Sequence, residues 1–178
     1  MIIVICCFIG HRKIKHTAEL KKITFQTVRS LIELGVTDFI FGDHSAFNSL
    51  CYDTVSELRE EYPIIRRIHF RKDYQEISDD VREYFLQGYE DSVCPDGVAN
   101  AGKASYIERN RAMIRISDYC VFYYDENYQP PLRKESKHSV IPYQPKSGTR
   151  AAYEYALSQK KKVINLYNLS VTEITCFK

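Results

Sequence analysis

Ser105-Tyr106-Ile107-Glu108-Arg109-Asn110-Arg111-Ala112-Met113, then Tyr119-Cys120-Val121-Phe122-Tyr123-Tyr124, then Ser147-Gly148-Thr149-Arg150-Ala151-Ala152: these three pieces of residues 105–157 decide the fold class. The middle piece has the β-branched and aromatic density of a short buried strand. Residues 149–159 read as an amphipathic helix, entered through a small-residue turn in which Ser or Thr caps the first turn. A strand, a small-residue turn and a helix N-terminus together form an anion-binding arrangement. The free N–H groups of the first turn and the positive end of the helix dipole face the ligand, and a glycine lets it approach.

Working outward from there, strands and helices alternate along the whole chain. Ile2-Ile3-Val4-Ile5-Cys6-Cys7-Phe8-Ile9 is a continuous apolar run, as expected for a strand buried on both faces of a parallel sheet. It ends at Gly10-His11-Arg12, on the strand edge where open α/β sheets bind ligands. Residues 17–34 carry Leu20, Ile23, Thr24, Val28, Leu31 and Ile32 at helical spacing, with Gly35 as C-cap. Thr37-Asp38-Phe39-Ile40-Phe41-Gly42 reads as the second strand, residues 49–62 as a helix closed by Pro63, and residues 64–70 as a more polar third strand. Beyond Asp73 the pattern loosens to a short helix at 77–85 and a Cys94-Pro95-Asp96-Gly97 turn. Residues 106–116 form a helix, 119–124 the fourth strand and 163–167 the fifth, with a weak edge strand at 171–177. The expected fold is α/β: a doubly wound, mostly parallel, Rossmann-like sheet of five or more strands with helices on both faces, in a single domain over residues 1–178. Residues 125–146 hold four of the six Pro and no periodicity, so they read as a long loop, a lid or a partner-binding segment.

Composition narrows the function classes. With 178 residues, 44% hydrophobic and 27% charged, the chain has the make-up of a globular domain with a substantial core. A net charge of +2 gives no reason to expect nucleic acid or a membrane as partner; the only basic stripe is Arg66, Arg67, Arg71 and Lys72. No apolar run reaches the roughly 18–20 residues that span a bilayer. Residues 1–9 lack the basic start and cleavage site of a signal peptide and read as a strand. The six Cys (6, 7, 51, 94, 120 and 176) show no metal-ligand spacing and read as reduced thiols of a cytoplasmic protein. His16, His69 and His138 also lack ligand spacing, so neither metal nor cofactor is expected. The 14 Tyr carry no functional reading at this stage.

Four pieces in order give the chain a resemblance to the SLOG superfamily of Rossmann-like nucleotide-binding proteins, and within it to the small bacterial YpsA-like branch. They are Gly10-His11-Arg12; Gly42-Asp43-His44-Ser45-Ala46-Phe47-Asn48; Glu108-Arg109-Asn110-Arg111-Ala112-Met113 leading into Ile116-Ser117-Asp118; and Ser147-Gly148-Thr149 with Ala152 and Ala156 behind it. Relatives in that superfamily include LOG-type phosphoribohydrolases, DprA DNA-processing proteins and sensors of ADP-ribose-like signals. The resemblance implies that Ser147, Gly148 and Thr149 cradle a phosphate that Arg109 neutralises. Gly10, His11, Arg12, Gly42 and Asn48 would line the rest of the ligand. It also implies a homodimer and, through the YpsA-like branch, a link to cell division.

The chain departs from the hydrolase pattern at one telling place. Where the phosphoribohydrolases carry a Glu three residues after the Gly-Thr pair's Thr, this chain has Ala152. The nearest carboxylate, Glu154, is two residues further, and that step turns a helix by roughly 200°. Breaking an N-glycosidic bond requires a group that stabilises the oxocarbenium-like centre or activates water. Only Glu108, Asp43 or Glu154 stand as replacements. Ala46 and Asn48 also replace the family's Gly and Asp in the second loop. His44 is a further acid–base candidate in that loop because an imidazole titrates near neutrality. Three readings follow: a binding or sensing domain for a nucleotide-derived ligand, an N-glycoside hydrolase, or a protein-interaction module working through the 125–146 loop with a vestigial pocket.

Overall fold

The computed structural model describes residues 3–42, 45–132 and 142–169. The six strands of the described residues lie in one parallel sheet: β1 (Val4–Gly10), β2 (Val36–Phe41), β3 (Arg66–Phe70), β4 (Asp91–Val93), β5 (Tyr119–Tyr123) and β6 (Lys162–Asn165). Their order in space is β4-β3-β2-β1-β5-β6. The chain therefore builds outward from β1 to β4, then crosses back to lay β5 on the other side of β1. The switch point lies between the C-terminal ends of β1 and β5, where Gly10 is in register with Tyr123.

The unbroken apolar run of β1 is explained by what each face meets. Cys6 and Phe8 point into a core shared with α1 (Ala18–Glu33) and α2 (Ala46–Glu61), which supply Leu20, Ile23, Val28, Leu31, Phe47, Leu50 and Val55. Cys7 and Ile9 point the other way, toward Met113 and Ile114 of α4 (Ser105–Ile116) and Ala152 and Ala156 of α5 (Gly148–Ser158). Burial of one such large side chain stabilises the fold by about 1.5–3 kcal/mol. The sheet is thus a three-layer sandwich with two distinct cores, as the alternating sequence requires.

Helix ends follow from local chemistry. Thr17 Oγ1 accepts from Leu20 N–H (3.0 Å) to start α1, and Gly35, at φ 94°, turns the chain out of it. Ser45 Oγ accepts from Asn48 N–H (3.1 Å), so α2 begins at Ala46 and takes in part of the loop read from the sequence as residues 43–48.

Among the described residues the sheet has six strands, within the five or more expected, and one of them was not placed from sequence. The extra one, β4, follows α3 (Asp79–Leu86) and pairs with the outer side of β3. Its three residues, Asp-Ser-Val, have no apolar signature because they form a half-exposed edge. Ion pairs hold it in place. Glu90 receives Nη2 of Arg67 at 2.7 Å, Nε at 3.1 Å and the Arg67 backbone N–H at 2.7 Å. Arg66 spans from Asp38 on β2 (3.5 Å) to Asp91 on β4 (3.6 Å). The edge strand expected at 171–177 lies outside the described residues.

Candidate functional site

Every helix that follows a parallel strand starts at the C-terminal edge of the sheet, so the first turns of α4 and α5 open on that edge and on the same face. At α5, Ser147 caps the helix: its Oγ accepts from Arg150 N–H (3.4 Å), and its carbonyl accepts from Ala151 N–H (3.0 Å). Helix geometry leaves the N–H groups of Gly148 and Thr149 without an intrahelical acceptor. Ser147 and Thr149 are buried, whereas Gly148 is exposed, with open space where a side chain would stand. The turn has both the donors and the clearance that an anion needs.

Arg109 comes to this edge from the second turn of α4. It is only 5% exposed, a costly position for a fixed charge. Its Nη2 donates to Asn110 Oδ1 at 3.2 Å, and its Cζ lies 5.3 Å from the Tyr106 ring centroid. Lys72, at the end of β3, sits 4.8 Å from the same ring, so Tyr106 lies within cation–π range of both. Gly42 is what lets the guanidinium in. A Cβ there would stand 2.7 Å from Arg109 Nη2 and 2.8 Å from Cζ. Gly42 and Arg109, which stand in separate sequence motifs, are therefore in contact in space.

Gly10 and His11 have packing duties at the switch point. A Cβ on Gly10 would stand 2.6 Å from Phe47 Cγ, so the glycine admits the first aromatic of α2 against β1. His11 is buried; its Nε2 accepts from Asp125 N–H at 3.0 Å, and its ring lies 4.2 Å from that of Tyr128. Burial pushes its pKa below the ordinary value, by more than the neighbouring Asp125 carboxylate raises it. The imidazole is a neutral latch that fixes where the chain leaves β5. Asn165 secures the same point from β6, accepting from Tyr124 N–H (2.9 Å) and donating to Tyr124 O (2.8 Å). Arg12 is exposed beside them, and its carbonyl accepts from Ala46 N–H (3.0 Å). The two described ends of the long loop are tied together where Gln144 Nε2 donates to Pro130 O (2.6 Å); residues 133–141 lie outside the described residues.

Of the carboxylate candidates, the two that are described, Glu108 and Glu154, are both paired with arginines of their own helices. Glu154 is exposed and accepts from Arg150 Nε at 2.8 Å, one helical turn back, and those hydrogen bonds hold its pKa below the ordinary value. Glu108 Oε1 accepts from Arg111 Nη1 at 2.8 Å on the outer side of α4. Asp43 and His44 lie outside the described residues. Ala152 is 5% exposed and packs into the core beneath α5. The basic stripe is likewise spoken for: Arg66 and Arg67 are ion-paired, and buried Arg71 donates through Nη1 to Tyr74 O at 2.6 Å. Among the described residues there is no cluster that could hold a metal ion, and no helix is long and apolar enough to cross a membrane.

Sequence reasoning missed a cleft of 480 Å³ beside Gly42. It opens between α2 and α3, above the ends of β2 and β3, with Asn48 and Ser49 on one wall and Tyr84 and Gln87 on the other. Its floor is aromatic. His69 stacks on Tyr89 at 5.0 Å and 18°, Tyr89 meets Tyr52 at 5.1 Å, and Phe85 lies 4.9 Å from His69. The available signal was the tyrosine content, with Tyr52, Tyr84 and Tyr89 on segments whose pairing depends on the unforeseen β4. Asn48, expected to line the part of the ligand away from the phosphate, lines this cleft.

No protein-family model matches the chain, and no curated protein matches it. Among solved structures it is similar to the X-ray structure of TM1055, a Northeast Structural Genomics Consortium target, at 15% identity and a TM-score of 0.53. The match covers 90% of this chain and 72% of that one. The fold is Rossmann-like. At that identity the likeness extends to architecture alone.

Proposed function

We propose that this protein is a SLOG-type domain of the YpsA-like branch that binds a nucleotide or nucleotide-derived ligand and senses it without hydrolysing it. The observation that carries the reading is the buried Arg109 guanidinium laid on Gly42 at the C-terminal sheet edge, on the face where the α5 first turn opens. A guanidinium and two free helix N–H groups form a site for a phosphate, with the Arg fork engaging two oxygens and the helix dipole adding to the attraction. Binding without turnover is favoured because Glu108 and Glu154 are paired on helix surfaces and the position of the family carboxylate is a packed alanine.

The test is a thermal-shift panel of AMP, ADP, ATP, NAD, ADP-ribose and cyclic dinucleotides, with the products followed by chromatography. A bound ligand raises apparent stability with the logarithm of its excess over Kd. The expected result is a selective shift, abolished by Arg109→Ala, with the ligand recovered intact. Release of free base or ribose phosphate would replace sensing with hydrolysis. A panel with no shift would refute nucleotide binding.

A further inference from the structure

Resting on that reading, we infer that the cleft between α2 and α3 is the nucleobase subsite of the same ligand, joined to the phosphate site through Gly42. Gly42 lines the cleft and also carries the Arg109 guanidinium on its backbone, so the two sites share a boundary. A ligand with its phosphate beside Arg109 meets the cleft as the adjoining cavity.

The chemistry of the cleft fits a flat, neutral, hydrogen-bonding group. Its floor is the aromatic series Tyr52, Tyr89, His69 and Phe85, with Tyr84 exposed above. Base stacking on aromatic side chains is favourable for any base, since each has a π-face. Asn48, Ser49, Asp53 and Gln87 bring both donors and acceptors to the walls, as pairing with a base edge requires. Among the described residues no Lys or Arg lines the cleft, so their chemistry suits an uncharged group and the charged end of the ligand belongs outside it. Its 480 Å³ falls within the roughly 300–1,000 Å³ of small-molecule sites. The α3 wall can adjust to its occupant, because that helix has no fully buried residue.

Calorimetric titration of the full chain with AMP, adenosine and ribose 5-phosphate tests this, with guanine and uracil counterparts run alongside. Two variants alter the cleft without touching the core: Tyr84→Ala removes an exposed ring, and Ser49→Leu fills space from an exposed position on α2. At least one nucleoside monophosphate should bind tenfold or more tightly than ribose 5-phosphate. Each cleft variant should weaken that nucleotide by roughly fivefold or more, on the scale of one lost stacking contact, and leave ribose 5-phosphate unchanged. Arg109→Ala should weaken both phosphates and spare the nucleoside. If nucleotides bind through Arg109 but neither cleft variant matters, the base subsite is wrong and the phosphate site stands. Nucleosides binding equally to wild type and Arg109→Ala, with ribose 5-phosphate inert, would keep the cleft and reject the phosphate site. A chain that binds none of the probes overturns both.

Discussion

Adding one methyl group at each of two glycines should separate folding from binding. In Gly10→Ala the new Cβ stands 2.6 Å from Phe47 Cγ and 2.8 Å from Phe47 Cβ, well inside the 3.4 Å at which ordinary contact begins. Phe47 is fully buried in the first turn of α2, and the clash involves the base of its side chain, so no rotamer relieves it. Overpacking of this kind costs typically 1–3 kcal/mol, and a rigid neighbour argues for the upper end, about 3 kcal/mol. In a chain of this size that lowers Tm by roughly 6–12 °C. In Gly42→Ala the Cβ meets only the end of a flexible side chain: Arg109 Nη2 at 2.7 Å, Cζ at 2.8 Å and Nε at 3.1 Å. The guanidinium can swing aside at about 1 kcal/mol, but it then leaves the place where it would meet a phosphate. Losing charge-assisted hydrogen bonds worth about 1.5–3 kcal/mol weakens a phosphorylated ligand by roughly 10- to 150-fold. Urea denaturation gives the stabilities and calorimetry the affinities. Gly42→Ala binding ligand like wild type, or unfolding as readily as Gly10→Ala, would refute the assignment of Gly42 to Arg109.

Three further outcomes follow. The depressed pKa of buried His11 means that the unfolded chain takes up its proton first as pH falls; stability should be full above about 6.5 and drop as pH falls through the lower folded-state value. His11→Gln should flatten the stability–pH curve in that window, while carboxylates with lowered pKa values, such as Glu90, act only at more acidic pH; an unchanged curve by urea titration would count against the latch. Ala152→Glu should cost about 3 kcal/mol or more by burying a carboxylate in the core beneath α5, with no release of base from any nucleotide; a stable, hydrolytic variant would show that the position faces the ligand instead. Arg67→Ala should cost about 2 kcal/mol, less than a fully buried pair because both partners are partly exposed, and a double-mutant cycle with Glu90→Gln should locate most of that loss in their pairing.

The sequence announced the sheet from β3 across to the β6 edge and was silent about the opposite margin, β4, for one physical reason. β1, β2 and β5 are buried on both faces, so their apolar runs stand out. β4 is an edge strand of Asp-Ser-Val whose place is set by Glu90 meeting Arg67 across 23 positions, a relation that no local pattern displays. Missing β4 also hid the cleft, whose aromatic floor forms only when Tyr89 is brought against His69 and Tyr52. The cap at Ser147 and the outward turn of Glu154 were legible because helix geometry alone determines them. The contact between Gly42 and Arg109 was not, since the two residues look like separate motifs until the sheet brings β2 under α4.

The most direct test is an amide-resolved NMR titration of the full chain with the ligand selected by the panel. The predicted result is saturable shifts of the Gly148 and Thr149 amides and the Arg109 Nε–H, lost in Arg109→Ala. Shifts confined to other surfaces, with the α5 first turn and Arg109 unmoved, would contradict the phosphate site.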